Sequence, residues 1–287
     1  MLKQLPIILR QIKASNKRGK LIIRKSPRIR PPLMIEAQYM RDLHGVVADL
    51  ETMTKQYVIP AVEQAQKDYD NRHPVTFAGP GSHTDSYSDL IKDALQKTRM
   101  VFGSTYSDSD FAAMAERIGV ETNGFNRKQL TRVLSAMIGV NVFVSEHWLE
   151  DVMKGFVHRN VALIKTVPER YFANIESLIY REIPQGIRHE EIAKHILEDR
   201  IDATKWDAAR IARDQVNKFN GQVNHERQVS VGVTDFIWRT MEDDRVRPEH
   251  EDLDGEQFSW DDPPDEGFPG EPIMCRCSAE PVLDNLI

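Results

Sequence analysis

The chain has 287 residues, 40% hydrophobic, 29% charged and 8% aromatic, with a formal net charge of −6. That length supports one large or two ordinary domains with a true core, so disulfides and metals are not obligatory for folding. The composition excludes fibrous, collagenous and wholly disordered classes. No apolar run approaches the roughly 18 residues of a membrane span, and two cysteines one residue apart exclude a secreted disulfide framework.

The N-terminal run Leu5 to Leu9 is too short for the apolar core of a signal peptide. Bases follow it where a small-residue cleavage site belongs, so the expectation is no export and a reducing compartment. Residues 1–35 hold ten bases and no acid, whereas residues 241–287 hold fifteen acids against Arg245, Arg247 and Arg276. Such an asymmetry serves partners rather than folding. The basic arm reads either as a solvated tail or as an arm laid on nucleic acid or on an acidic protein surface. In the second case Lys13, Lys17, Arg18, Lys20, Arg24, Lys25, Arg28 and Arg30 are the contacts.

Pro27, Pro31 and Pro32 punctuate the end of the arm. An amphipathic helical period follows through Leu43, Val46, Val47, Leu50, Met53 and Val58, with a kink or restart expected at Pro60. Residues 74–84, with two prolines and two glycines, read as a loop. Helical patterns resume at about 85–102, 108–118, 126–139 and 145–166. Asp108 or Ser109, and then Asn126, are expected as N-caps. Pro168 is expected to open the next helix, to Ile183, and His189–Ile201 and Ala203–Val229 read as two more. After Gly232 the texture changes. Asp235 to Thr240 is a strand, an acidic segment rich in proline and glycine follows, and Cys275 to Leu283 supplies a closing strand.

The expected fold class is therefore α+β, a mainly helical N-terminal region followed by a small α+β module. Three segments are expected: a basic arm 1–35, a helical region 36–184 and the module 185–287. Within the module, Cys275 and Cys277 flank Arg276, and His250 is its one histidine after His225. Soft thiolates with an imidazole suit zinc, and Asp243 or Asp244 would supply a fourth, oxygen ligand. A structural zinc on Cys275, Cys277, His250 and Asp243 would clip together a segment with little apolar material of its own. The plainer alternative makes the cysteines small buried hydrophobes and His250 a turn residue. An enzymatic alternative uses Cys275 and His250 as nucleophile and base with Asp243 as orienter, or the acidic residues as a magnesium site for phosphodiester hydrolysis. No standard nucleophile-elbow, zincin, Walker or dinucleotide pattern accompanies it. Trp238, Phe258 and Trp260 read as the module's core, Arg245 as paired with nearby carboxylates, and Arg210 and Arg213 as facing the acidic segment.

One ordered set of motifs is distinctive. A helix starting Ala208-Ala209-Arg210 with later Asn217 and Asn220 precedes the Trp238 strand. Asp244-Arg245 to His250, then Leu253-Asp254-Gly255, Pro263-Pro264 and Cys275-Arg276-Cys277 follow. In this order the residues over about 185–283 resemble the phage Mu F-like minor head protein family, the head morphogenesis domain of tailed phages. The chain has Arg247-Pro248-Glu249 where that family commonly carries a cysteine or another polar residue. The resemblance implies a non-enzymatic minor capsid protein of a phage or prophage, at the portal vertex or in the head interior, acting in head assembly and in genome packaging and delivery. It implies the portal protein and major capsid protein as partners, with packaged double-stranded DNA as a further one and no membrane in the assembled head. Assembly would occur in the host bacterial cytoplasm, and the helical region 36–184 would do the docking. The alternative is a metal- or Cys/His-dependent enzyme acting on nucleic acid or protein.

Overall fold

Helix α1 (Gln4–Ser15) opens the computed structural model, which describes residues 4–15, 23–72, 85–140, 142, 146–284 and 286. Lys17, Arg18 and Lys20 of the basic arm, and all of the loop read at 74–84, lie outside the described residues. An extended segment, 23–32, leads into α2 (Leu33–Met53). Pro31 and Pro32 set that start, and the Ile35 and Glu36 N–H groups both donate to the Pro32 carbonyl at 3.0 Å. The α2 stripe is buried as its spacing predicts, at Leu43, Val46, Val47 and Leu50. At Pro60 the chain does not break. It widens into a π-helical turn (Thr54–Val58), in which the Ile59 N–H reaches back to the Thr54 carbonyl, and continues as α3 (Ile59–Arg72). The wider turn gives the proline ring the room that an α-helix would deny it.

Helix α4 (Asp85–Thr105) precedes α5 (Asp108–Ile138), one helix where the sequence pattern suggested two. Its cap is Ser107, one residue before the expected Asp108. Ser107 Oγ faces the Asp110 N–H at 3.3 Å, while the Asp110 carboxylate accepts the Ser107 N–H at 2.8 Å. Asn126, expected as a cap, is buried inside α5 because its amide is needed elsewhere, as described below. Gly119 also stays helical: a Cβ there would meet Met153 Sδ at 2.5 Å, so the glycine lets α5 approach its neighbour.

Helix α6 (Leu149–Glu182) likewise runs through Pro168 rather than starting at it. The proline removes one hydrogen bond from a long helix whose flanking Ile164, Val167 and Tyr171 are buried, and packing outweighs that loss. A 3₁₀ turn (Ile183–Gln185) ends at left-handed Gly186. Helix α7 (His189–Lys194), a π-helical turn (His195–Arg200) and α8 (Ile201–Val231) then run on without a break. Strand β1 (Asp235–Arg239), the short α9 (Pro248–Asp252), β2 (Gln257–Ser259) and β3 (Ser278–Val282) complete the chain. The α+β expectation, mainly helical with a small C-terminal sheet, is borne out.

The chain divides into two compact units, each discontinuous in sequence: Met1–Tyr39, Ala115–His158 and Ala212–Ile287 form the first, Met40–Met114 and Arg159–Ile211 the second. The segments read from composition, 1–35, 36–184 and 185–287, cut the chain differently. Composition changes along the sequence, whereas long helices carry the chain from one unit to the other. In the second unit, Tyr171 donates to Thr54 Oγ1 at 2.8 Å in the core, and Tyr69, Tyr87 and Tyr180 form a row of edge contacts.

The first unit contains the sheet, ordered β2-β1-β3 and antiparallel throughout. Phe236 and Trp238 are the inward residues of β1. Pro281 in β3 is tolerated because β3 is an edge strand. One apolar cluster joins α1 (Leu5, Leu9) and Ile29 to the end of α5 and to Val231, Val233 and Leu283. The segment 23–32 is tied down along its length. The Arg24 N–H donates to Met137 O at 3.0 Å, Gln129 pairs with the Arg30 backbone at 2.9 and 3.0 Å, and Ser278 Oγ donates to Ile29 O at 3.0 Å.

A buried polar network joins α8 to α5. The fully buried Arg227 guanidinium donates to Glu146 Oε1 at 2.8 Å, to Asn126 Oδ1 at 2.6 Å and to Asn123 Oδ1. Asn126 in turn donates to the side chain and carbonyl of Asn220 at 3.1 and 3.2 Å. Burial pulls the Arg227 pKa below its ordinary value, and Glu146 opposes that shift. Arg227→Ala strands Glu146 and two amides, so the urea midpoint should fall by the equivalent of about 3 kcal/mol. A loss under about 1 kcal/mol would mean that water replaces the guanidinium at little cost.

Candidate functional site

Three features of the backbone bring the module's reactive side chains together. Gly221 on α8 passes against the proline-rich loop so closely that a Cβ would lie 2.7 Å from the Pro269 carbonyl oxygen. Gly270, at φ +92°, faces the Asn217 carbonyl from the other side. Met274 then takes a left-handed φ of 61°, with its N–H held by Asp214 Oδ1 at 3.0 Å. The turn closes with the Cys275 N–H on Pro272 O at 3.0 Å and delivers Cys275 and Cys277 to the entrance of β3.

His250 arrives on α9. Pro248 is preorganised for that helix, and the His250 N–H donates to Arg247 O at 3.0 Å. The start of the helix is pinned by Arg247, whose guanidinium donates to the Ile273 carbonyl. The Trp238 ring meets the imidazole edge-on at 5.3 Å. Beyond α9, left-handed Gly255 (φ 91°) returns its N–H to Trp238 O at 2.9 Å, and Asp254 accepts the Thr240 N–H at 2.7 Å.

The result is a buried cluster: His250, Cys275 and Cys277 are 2%, 5% and 9% exposed. His250 Nδ1 lies 3.5 Å from Cys275 Sγ and 3.4 Å from Cys277 Sγ. All three ligand atoms fall within 4.8 Å of one another, and this is the one such group found among the described residues. The thiols titrate apart. Cys275 is drawn below the usual thiol range because the Cys277 side chain and backbone N–H donate to it. Cys277 is pushed up by that same hydrogen bond and by burial. The Trp238 indole N–H, which lacks a conventional acceptor, partly offsets the rise at Cys277.

Asp243 does not join the cluster. Both of its oxygens are taken by Arg276, at 2.6 and 2.8 Å, and that pairing lowers its pKa. Arg276 thus holds the carboxylate that the sequence reading gave to the metal. Arg213 pairs with Glu36 at 2.7 Å and Arg210 with Asp207 at 3.5 Å, rather than with the acidic segment. Of the arm, Lys13, Arg24, Lys25 and Arg30 present exposed side chains, whereas Arg28 donates to Glu242 at 2.7 Å and to Thr240 O at 2.9 Å. Arg132 on α5 lines the same surface hollow as Arg28 and Arg30. Trp238, Phe258 and Trp260 pack with Phe236 and Phe268 as the module's core, as the sequence predicted.

The sequence reading missed Glu266, whose Oε2 lies 3.5 Å from His250 Nε2. Nothing in the spacing marks it out among so many acids. It also missed Arg227, although Asn217, Asn220, Asn224 and Gln228 recur every three or four residues. That spacing places them on one helical face and was a readable signal.

Residues 173–280 match the family described as Phage Mu protein F like protein, so the resemblance read from the ordered motifs is borne out. The matched stretch includes Asp243, His250, Cys275 and Cys277. An uncharacterised protein of Haemophilus influenzae is 29% identical over 191 residues, which is 63% of this chain. The chain spans 42% of that relative's length. No solved structure matches. No helix among the described residues is long and apolar enough to cross a membrane.

The Asp243–Arg276 pair gives a pH signature. The depressed Asp243 pKa contributes stability above the ordinary carboxyl value of about 3.9, and that stability is lost as pH falls through the folded value. Asp243→Asn should cost about 1 kcal/mol at pH 7, the pair being partly exposed. In denaturant titrations the gap between wild type and variant should close below about pH 3.9. A gap that persists unchanged to the acid limit would rule out an ionic origin.

Proposed function

We propose that this protein is a non-enzymatic minor head protein of a tailed phage or prophage, which binds the portal and neighbouring capsid during head assembly. The observation that carries this reading is the match over residues 173–280. That stretch contains the ordered Trp238, His250, Gly255 and Cys275-Arg276-Cys277 elements, and in the structure they build one packed module. The module's surface is acidic, and packaged DNA would repel it. It therefore faces protein or solvent, and the docking partners are the portal protein and the major capsid protein.

The DNA contact falls to the N-terminal segment. Arg28 is committed to Glu242, but Lys25, Arg30 and Arg132 are exposed, and the sequence of the arm carries Lys13, Lys17, Arg18, Lys20 and Arg24 besides. Such a patch suits the phosphate backbone of packaged DNA without reading its sequence. The Cys275–His250 pair gives little support to the enzymatic alternative. Both residues are buried, and Asp243, the proposed orienter, is held by Arg276.

Co-expression with the portal protein of the same phage or prophage should yield a complex that survives gel filtration. Failure to bind either portal or assembled heads would overturn the docking role. Deleting the arm is a poor test, because Leu5, Leu9 and Ile29 are core residues. The triple variant Lys25→Ala, Arg30→Ala, Arg132→Ala should leave folding intact and weaken DNA binding. It should also flatten the slope of log affinity against log salt by about 0.9 for each phosphate that is no longer neutralised. An unchanged slope would take DNA away from this patch and leave the portal as its partner.

A further inference from the structure

We propose that His250 Nδ1, Cys275 Sγ and Cys277 Sγ are three ligands of a zinc ion, with Glu266 as the outer partner of the imidazole and water in the fourth position. The first argument is distance. Ligand atoms at about 2.3 Å (sulfur) and 2.0–2.1 Å (nitrogen) around a tetrahedral zinc lie about 3.6 Å apart across each N–Zn–S angle. The structure has 3.5 and 3.4 Å. The second is valence. Two thiols converge on one ring nitrogen, whose single lone pair accepts from one of them only, so the other is left to a neighbouring sulfur, a weak acceptor. An ion between the three atoms satisfies them all at once.

The far side of the imidazole gives an independent observation. Nε2 is buried and has no hydrogen-bond partner among the described residues, yet the Glu266 carboxylate stands 3.5 Å away. A metal on Nδ1 fixes the remaining ring proton on Nε2, which is the donor that this carboxylate can accept. Histidine ligands commonly have such a partner. The Cys277 N–H, 3.4 Å from Cys275 Sγ, is a donor placed for a thiolate. Two sulfurs and an imidazole select zinc over magnesium or calcium.

Asp243, the oxygen ligand expected from sequence, is excluded by its two bonds to Arg276. The fourth position falls to a cavity of about 130 Å³ that the three ligands line together with Met241, Arg245 and Arg247. Binding releases to solvent the proton of each thiol that was still protonated. No reaction is required of the ion. Its work is to pin α9 to the turn that enters β3.

The test uses the full chain, purified from zinc-supplemented medium, with metal analysis and cobalt exchange. About one zinc per chain is expected, and the cobalt form should show thiolate charge-transfer bands with tetrahedral visible absorption. Cys275→Ser, Cys277→Ser and His250→Ala should each abolish that spectrum. Glu266→Gln should keep the stoichiometry but weaken affinity 10- to 100-fold, and Asp243→Asn should leave affinity unchanged. Folded wild type with substoichiometric metal and no cobalt–thiolate bands would overturn the assignment, and so would a cysteine variant of undiminished affinity. If the ligand variants do not fold, the wild-type cobalt spectrum and its loss on chelation decide alone.

Discussion

The carbonyl oxygen of Ala279 is the point on which the C-terminal module turns. Two side-chain amides of α8, Asn224 and Gln228, donate to it at 3.0 and 2.9 Å. A sheet of three short strands has too little surface to be stable alone. Here the strand that closes it is bolted to a long helix by buried hydrogen bonds, which are costly to leave unmade. Because β3 is fixed on α8, the residues just before it are fixed too, and Cys275 and Cys277 inherit their positions from that bond pair. The same helix face carries Arg227 and Asn220 towards α5, so one polar stripe organises both neighbours.

That arrangement demands close approach elsewhere. Gly221 and Gly270 let the loop backbone lie directly on α8, and Met274 accepts a left-handed conformation that most side chains avoid. These are local concessions of conformational freedom made for a global geometry, and they cluster around one buried histidine and two thiols. Strain, buried polarity and reactive side chains gathered in one place are the usual signs of a site rather than of ordinary packing.

The sequence disclosed periodic features well and interruptions badly. The α2 stripe, the Trp238 strand and the aromatic core were legible because burial follows a simple period. The breaks expected at Pro168 and near Asn126 were not realised, because packing on both sides of each position outweighs a weak local signal. Residues 185–283 disclosed their likeness to the phage Mu F-like proteins through an ordered set of motifs, and His250, Cys275 and Cys277 stood out through their chemistry. Asp243 and Glu266 were indistinguishable as letters in an acidic run. Only the fold shows that one is spoken for by Arg276 and the other stands beside the imidazole.

The strap at 23–32 has a consequence for the order of synthesis. Ile29 and Ser278, which hydrogen-bond to each other, are 249 residues apart in sequence. At ribosomal rates of about 5–20 residues per second, roughly 12–50 s separate their emergence. The second unit, whose last residue is Ile211, has all its parts well before then. The first unit must wait, with Leu5, Leu9 and Ile29 lacking Leu283 and with one edge of β1 unpaired. Its closure therefore reports that translation has passed the cysteines, and a prematurely ended chain would keep an adhesive edge that the finished protein conceals.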